Sequence, residues 1–354
     1  MENKIIVSSS PHLHDRSSVK YVMWNVVIAL LPALIAGIIH FGYKALTITI
    51  YSAVAAVVTE ALIQKFRKKE ITVNDGSAVL TGMLVAFNIH ADSPWWLGVV
   101  GSIFAISIGK HVFGGLGFNI VNPELLGRAF LLASWPTLVT SGWVPSNLGN
   151  TSGLNIQNLP AQAQQLVTSA TPLGVAKMMR NADIVNTIGV DNAHNVFSHL
   201  TDYSTLMNLF WGNIGGCIGE VSAFALLIGA LYLLMLHIIE WRIPVFYIGT
   251  VFVLTYIFGG LDGIFSATIA LPLFHILAGG LFLGAFFMAT DMVTSPVTKK
   301  GRIIFGIGAG IICVVIRLIG GYPEGVSYSI LIMNLFVPLI DRYTMPRAFG
   351  EVKA

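Results

Sequence analysis

Long apolar segments recur along the whole chain and are separated by polar turns. Only 10% of the 354 residues are charged, whereas soluble domains carry about 25% charged residues. A helix needs roughly 20 mostly apolar residues to cross a bilayer. The sequence therefore predicts an all-α integral membrane protein with ten transmembrane helices, several of them short or broken by Gly or Pro. The ten segments cover residues 21–39, 44–63, 76–91, 95–113, 123–138, 210–239, 243–260, 264–290, 302–319 and 326–341.

Basic residues cluster at four places, within 4–20, 65–69, 299–302 and 342–353. All four clusters fall on one side of the membrane if both termini are cytoplasmic, as the positive-inside rule requires. The first 20 residues are polar, so we expect no cleaved signal peptide. These observations predict a multi-pass protein of the cytoplasmic (inner) cell membrane, in contact with its lipids.

Five parts follow from this topology. They are a cytoplasmic tail (1–20), a first transmembrane repeat (21–138), an extracytoplasmic loop (139–206), a second transmembrane repeat (207–342) and a cytoplasmic tail (343–354). The loop is rich in Asn, Gln, Ser and Thr. A loop of this length with little regular pattern is usually functional or disordered.

Two similarities within the chain indicate an internal duplication. FGGLGFNIVNPELLGRAFLL (113–132) resembles IGGYPEGVSYSILIMNLFVP (319–338), and LTGMLVAF (80–87) resembles FLGAFFMA (282–289). Five helices in each repeat would place the two halves in opposite orientations. Transporter-type folds are often built in this way, with broken helices near the middle of the membrane.

The familiar catalytic and metal-binding motifs are missing from the sequence. It contains no GxSxG, HExxH, phosphate-loop or dinucleotide fingerprint, and Cys217 and Cys313 lie far apart. The net charge of +3 comes without a basic stripe, so we expect no nucleic-acid partner. The sequence predicts no catalytic side chain and no metal site.

The stretch NPELLGRAF (122–130) carries charge close to an apolar segment. Asn122 and Pro123 are typical of a helix start. Glu124 and Arg128 are four residues apart and would share one helical face. Two interpretations stay open: a structural pair that closes the start of the helix, or polar groups along a cation path or a cofactor pocket.

The stretch TSATPLG (168–174) lies in the polar loop and carries two threonine hydroxyl groups, on Thr168 and Thr171. No base neighbours either threonine, so neither hydroxyl is activated as a nucleophile. Another enzyme could nevertheless place a phosphoryl group on an exposed hydroxyl with small neighbours. The alternative is an ordinary Ser/Thr-rich turn.

Several longer stretches resemble the RnfD/NqrB family of membrane subunits of redox-driven ion pumps. The resemblance covers almost the whole chain, in order. It is carried by SSSPHLHDRSSVKYVMWNVVIALLPALIAGI at the N-terminus, NDGSAVLTGMLVAFNI, KHVFGGLGFNIVNPELLGRAF, TDMVTSPVTKKGRIIFGIGAGI, and the ending GGYPEGVSYSILIMNLFVPLIDRYTMPRAFG.

The resemblance implies that FMN is bound through a phosphoester to Thr171, within the motif formed with Ser169, Ala170 and Pro172. Thr168 is the nearest competing acceptor. A flavin transferase would make the bond outside the cytoplasmic membrane. The family pattern often has an acidic residue six positions before the threonine, and Gln165 stands there in this chain.

The resemblance also implies a second, non-covalent flavin (riboflavin or FMN) and an inverted-repeat, urea-transporter-like core. The activity would be electron relay between ferredoxin and NAD, coupled to Na⁺ or H⁺ translocation. The chain would work only with the C, G, A, E and B subunits of an Rnf complex, as part of an oxidoreductase and not alone. The predicted repeat by itself leaves one alternative, a transporter or channel for a small neutral solute.

Overall fold

The computed structural model describes residues 18–148, 152, 170–260 and 269–346, and the regular elements within these ranges are all helical. The first half contains α1 (Val19–Phe41), α2 (Tyr43–Phe66), α3 (Ser77–Phe87), α4 (Trp95–Phe104, continued by a π-helical turn, Ala105–His111), α5 (Pro123–Ser134) and α6 (Pro136–Thr140). The middle contains α7 (Pro172–Met178), α8 (Ala182–Ile188), α9 (Val190–His199) and α10 (Tyr203–Trp211). The second half contains α11 (Ala223–Met235), α12 (Arg242–Phe258), α13 (Ala270–Leu277), α14 (Leu281–Leu283, continued by a π-helical turn, Gly284–Met288), α15 (Lys299–Leu318) and α16 (Val326–Thr344).

Three helices in the described ranges, α1, α2 and α15, are long and apolar enough to cross a membrane. The pair α13 and α14, bent by 67°, would make a fourth as one broken span. The chain is therefore a multi-pass membrane protein. Each of the ten predicted segments contains a helix, but several helices are too short to count as spans by themselves. The number ten and the inverted repeat stay predictions.

Glycine, proline and short polar residues determine where the helices begin and end. Ser18 caps α1 by accepting a hydrogen bond from the Tyr21 N–H at 3.1 Å. Gly42 has a φ of 74° and joins α1 to α2 without a linker. Gly76, in the left-handed conformation at φ 83°, immediately precedes α3. These local breaks explain why long apolar stretches are divided into short helices.

Small residues bring the helix backbones into direct contact. A side chain at Gly82 of α3 would lie 2.6 Å from the Ser52 carbonyl oxygen of α2. A side chain at Gly229 of α11 would overlap the Ala29 carbonyl oxygen of α1. Such contacts are characteristic of helix packing in membranes, where van der Waals fit replaces the hydrophobic effect.

The predicted span 210–239 is wrong over its first third. Helix α10 ends at Trp211 and α11 begins only at Ala223, because Gly212, Gly215, Gly216 and Gly219 interrupt the helix between them. The non-helical segment 212–222 packs on the end of α3, with the Gly219 N–H donating to the Phe87 carbonyl at 3.1 Å. This contact carries Cys217 and Glu220 into the interior.

The polar loop has more regular structure than its sequence indicates. Three short helices, α7 to α9, occupy much of its described part. Buried apolar residues of α7 and α9, including Leu173, Val175 and Val196, belong to the main hydrophobic core. Helix α7 is thus packed against the membrane helices, and this packing positions the residues just before it.

Candidate functional site

Thr171 is the residue at which helix α7 starts. Its backbone is extended (φ −67°, ψ 160°), and its Oγ1 accepts a hydrogen bond from the Gly174 N–H at 3.3 Å. Pro172 occupies the first helical position, where its missing N–H costs nothing. Ala170 is buried and Thr171 is half-buried. Ser169, Thr168 and Gln165 lie outside the described residues.

A cavity of about 760 Å³ opens beside Thr171, and we call it the Thr171 cavity. It lies between α5, α6, α7 and the turn that joins α15 to α16. Its volume falls within the roughly 300–1,000 Å³ that is usual for small-molecule sites. The wall combines aromatic, cationic and acidic side chains, among them Trp143, Tyr322, Tyr328, Lys177, Arg128 and Glu324.

Two cations from α7 and the residues just after it line the Thr171 cavity. Lys177 Nζ donates to the carbonyl oxygens of Gly320 and Tyr322, the second at 2.9 Å. Arg180 donates to the Gly259 carbonyl and lies 5.8 Å from the Phe197 ring centre. Burial lowers the pKa of Lys177, which means that the wall disfavours an uncompensated ammonium group. Lys177 and Arg180 therefore place two cationic groups at the wall beside Thr171.

The predicted pair of Glu124 with Arg128 is wrong. Arg128 instead donates to Glu324 at 2.6 Å and to the Asn88 side-chain oxygen at 2.7 Å. Glu124 accepts from the Asn122 amide at 3.1 Å. The reason is tertiary: Glu324 approaches Arg128 from the turn before α16, and a charged hydrogen bond of this kind is stronger than an intrahelical pair.

Glu124 belongs to a second, smaller cavity of about 70 Å³, which we call the Glu124 cavity. Its polar wall includes Ser77, Lys110, Asn119 and Asp291, and its apolar wall comes mainly from α1 and the π-helical turn after α14. The amide oxygen of Asn119 is buried without a hydrogen-bond partner.

Asn122 links the start of α5 to the π-helical turn after α14. Its Oδ1 caps α5 by accepting from the Leu125 N–H at 3.1 Å, and its Nδ2 donates to the Met288 carbonyl at 3.3 Å. The helix-start prediction for Asn122 and Pro123 is confirmed. Helix α5 then presents Glu124 to one cavity and Arg128, one turn later, to the other. The three predicted residues are therefore neighbours, but they do not share one pocket.

Sequence reasoning missed a buried ion pair beside the Glu124 cavity. Lys110, which the sequence places near a helix end, is 2% exposed. Its Nζ donates to both carboxylate oxygens of Glu60, each at 2.8 Å, and to Ser77 Oγ at 2.7 Å. Glu324 and Asn88 were missed as well. The duplication offers one indication of Glu324, since a Pro-Glu dipeptide occurs in both similar segments, at 123–124 and 323–324.

Comparison with known proteins places the chain among membrane subunits of redox complexes. It is 46% identical to the D subunit of the proton-translocating ferredoxin:NAD(+) oxidoreductase complex of Clostridium ljungdahlii, over 99% of this chain and 97% of the relative. It is 47% identical to the D subunit of the Na(+)-translocating ferredoxin:NAD(+) oxidoreductase complex of Acetobacterium woodii, with the same coverage. It is 38% identical to the D subunit of the ion-translocating oxidoreductase complex of Stutzerimonas stutzeri, over 95% of this chain and 93% of the relative.

The family model described as the NQR2, RnfD, RnfE family matches residues 6–350, which include both cavities and the loop that holds Thr171. This match spans nearly the full length and agrees with the motifs noted in the sequence. The chain belongs to the NQR2, RnfD, RnfE family.

Proposed function

We propose that this chain is the D subunit of an ion-translocating ferredoxin:NAD⁺ oxidoreductase complex, in which it relays electrons through a flavin held on Thr171. The relatives' names support the complex. The observation that supports the flavin is the position of Thr171, at the wall of a ligand-sized cavity with aromatic and cationic side chains. The same complex would require the C, G, A, E and B subunits for the ferredoxin and nicotinamide chemistry.

FMN linked to Thr171 fits the residues around it. The phosphoester would carry a negative charge close to Lys177 and Arg180, both of which line the cavity. The aromatic rings of Trp143 and Tyr328 offer flat apolar surfaces of the kind that pack on ring systems. A separate flavin transferase would have to make the bond, because no base is found beside the threonine in its own sequence.

In this proposal the bound FMN supplies the electron chemistry, and the chain supplies placement and electrostatics. Thr171 is a tether. Lys177 and Arg180 neutralise the phosphoester. Arg128, paired with Glu324 and held by Asn88, fixes a guanidinium group at the cavity wall.

The proposed membrane arrangement is ten helices in two inverted repeats with a urea-transporter-like core. Both termini would be cytoplasmic, and Thr171 would lie on the opposite side of the cytoplasmic membrane. Two features support it: the positions of the basic clusters in the sequence, and the bent pair α13 and α14, which is the broken geometry that such folds use.

Overall sequence similarity favours neither Na⁺ nor H⁺ as the coupling ion. A proton-translocating and a sodium-translocating relative are 46% and 47% identical to this chain, over the same share of its length. The alternative function, transport of a small neutral solute, rests on the predicted repeat alone. The relatives compared above are all named as subunits of oxidoreductase complexes.

Flavin fluorescence in a denaturing gel tests the tether. The purified wild-type protein, from cells that contain the transferase, is expected to fluoresce as a band, and the Thr171→Val protein is expected to be dark. Thr168→Val is the matched control, because it removes the neighbouring hydroxyl and should keep the fluorescence. A dark wild-type band, or a band lost in Thr168→Val and kept in Thr171→Val, would refute the assignment.

We place the second flavin or the ion path at the Glu124 cavity. Its lining residues Asn119, Glu124 and Asp291 offer polar contacts beside an apolar wall, and Asn122 donates to Glu124. A space of about 70 Å³ admits only a few water molecules. A flavin would therefore have to displace part of the α1 wall, whereas a cation with water fits directly.

Glu124→Gln separates these two roles. The intact variant complex is assayed for flavin released by acid and for ions moved per electron transferred. Loss of released flavin with Glu124→Gln assigns the residue to the flavin pocket, and an ion-to-electron ratio reduced several-fold with normal flavin assigns it to the ion path. The exposed Glu70→Gln is the control. If both quantities match the wild type, Glu124 has neither role.

A further inference from the structure

A buried glutamate, Glu220, and a half-buried one, Glu324, face a small cavity beneath Thr171. Glu220 belongs to the non-helical segment 212–222 and is 6% exposed, and Glu324 belongs to the turn between α15 and α16. Both line a space of about 10 Å³ that Thr171 also lines. Such a space holds about one water molecule. Glu324 also lines the Thr171 cavity, so it reaches both spaces.

The two carboxyl groups lie close to each other because two glycines leave room for them. A Cβ at Gly279 would lie 2.8 Å from Glu324 Oε1, and a Cβ at Gly280 would lie 2.9 Å from Glu220 Oε2. The side chains of Glu220 and Glu324 therefore line the same small space from two sides. The backbone N–H of Cys217 holds the other oxygen of Glu220, at 3.1 Å.

The charged and titratable groups that face this pair come from three directions. Arg128 of α5 donates to Glu324 at 2.6 Å. Arg317 of α15 also acts on Glu324, and its guanidinium is fixed by the carbonyls of His275 and Ala278. The Cys217 thiol faces Glu220 from within the same segment. Helix α7 contributes only Thr171, Pro172 and Leu173 to the small cavity.

When both glutamates are ionised, their two negative charges are balanced by the positive charges of Arg128 and Arg317. A further negative charge in the adjoining cavity would upset that balance. Two carboxyl groups that line one space of this size repel each other when both are ionised, and the first proton relieves that repulsion. Glu324 alone, against Arg128, would stay ionised, so Glu220 is the member that allows the pair to accept a proton.

We propose that Glu220 and Glu324 together take up one proton when the flavin on Thr171 is reduced, and release it on reoxidation. This inference rests on the proposed function. The electron pair would come from partner subunits, and a flavin reduced by two electrons takes at least one proton on its own ring, so the proton on the glutamates is an additional one. The proton comes from water in the Thr171 cavity and forms one O–H bond on a carboxylate oxygen, and the hydroxide left behind is neutralised by buffer. The proton arrives first at Glu324, because this residue lines both cavities.

Redox titration of the intact complex at several pH values tests the proposal. The signal of the Thr171-linked flavin is obtained by subtracting the Thr171→Val complex. Each proton taken up with two electrons lowers the midpoint potential by about 30 mV for each pH unit. The reason is that one pH unit changes the equilibrium constant tenfold, and a tenfold change corresponds to about 30 mV in a two-electron reaction. We expect the slope of Glu220→Gln to be shallower than that of the wild type by up to this amount. The exposed Glu70→Gln should keep the wild-type slope.

Infrared difference spectra of the wild-type complex give a second measurement that does not depend on any variant folding. Reduction should produce the C=O band of a protonated carboxyl group, shifted in D₂O. Equal slopes in wild type and Glu220→Gln, or a wild-type spectrum without this band, would overturn the proposal while the tether stands. A gel without flavin fluorescence would overturn the proposed function itself, and the proton uptake with it.

Discussion

Thr171→Val is expected to reduce ferredoxin-dependent NAD⁺ reduction by the whole complex by roughly 100-fold or more. A short tether keeps its group at an effective concentration on the order of millimolar, and without the bond the site depends on the far lower concentration of free FMN. The change is nearly isosteric, and the hydrogen bond that it removes is the cap from Gly174, which is long at 3.3 Å. The measurement is steady-state NAD⁺ reduction in membranes with equal amounts of assembled complex.

Thr171→Ser is the second variant, and it tests whether the hydroxyl group is what activity requires. It keeps an acceptor hydroxyl and the cap at the start of α7, so both fluorescence and turnover should survive at least in part. If Thr171→Ser loses fluorescence and activity as fully as Thr171→Val while both complexes assemble, attachment needs the threonine methyl group as well as the hydroxyl. If Thr171→Val turns over at the wild-type rate, electrons do not pass through a flavin at this residue.

The outline of the fold could be predicted from the sequence because it depends on local properties. Apolar length locates the helices, and the cap of Asn122 with Pro123 fixes the start of α5 within a residue. The exact spans could not be predicted to the same accuracy. The stretch 210–239 is apolar over most of its length, yet four glycines turn its first third into the segment that carries Glu220 inward.

Local sequence pattern does not predict ion pairs between residues that lie far apart in the chain. Arg128 has an acidic residue four positions before it, and helical spacing favours that pair. The structure gives it Glu324 instead, 196 positions away. The sequence places Lys110 at a helix end, yet this lysine pairs with Glu60, 50 positions away. In both cases packing decides, since a buried charge needs its closest available counter-charge.

Two Pro-Glu dipeptides, one in each half of the chain, lie beside different cavities. Glu124 follows Pro123 at the start of α5 and lines the Glu124 cavity, whereas Glu324 follows Pro323 before α16 and lines the Thr171 cavity. Arg128 pairs with the glutamate of the other half, so α5 connects both cavities.

Lys110→Met is expected to destabilise the protein by about 3–5 kcal/mol, because it leaves the Glu60 carboxylate buried without its counter-charge. The side chains of Lys110 and Glu60 are 2% and 1% exposed, so water cannot replace the ammonium group. The measurement is thermal unfolding of the purified protein in detergent. Lys65→Met, at an exposed lysine on the same helix as Glu60, should leave the unfolding temperature nearly unchanged.

The double variant Lys110→Met with Glu60→Gln distinguishes a coupled pair from two independent losses. Removing both charges also removes the unpaired one, so the double variant should be more stable than the sum of the single effects predicts, by about 1 kcal/mol or more. Additive losses would mean that Glu60 finds another partner when Lys110 is gone. The candidates are Gln64, which already donates to Glu60 at 3.1 Å, and His111, whose Nε2 lies 3.7 Å from the carboxylate. A coupled result would instead establish that α2, α3 and the π-helical turn after α4 are joined through one buried charge pair, beside the wall of the Glu124 cavity.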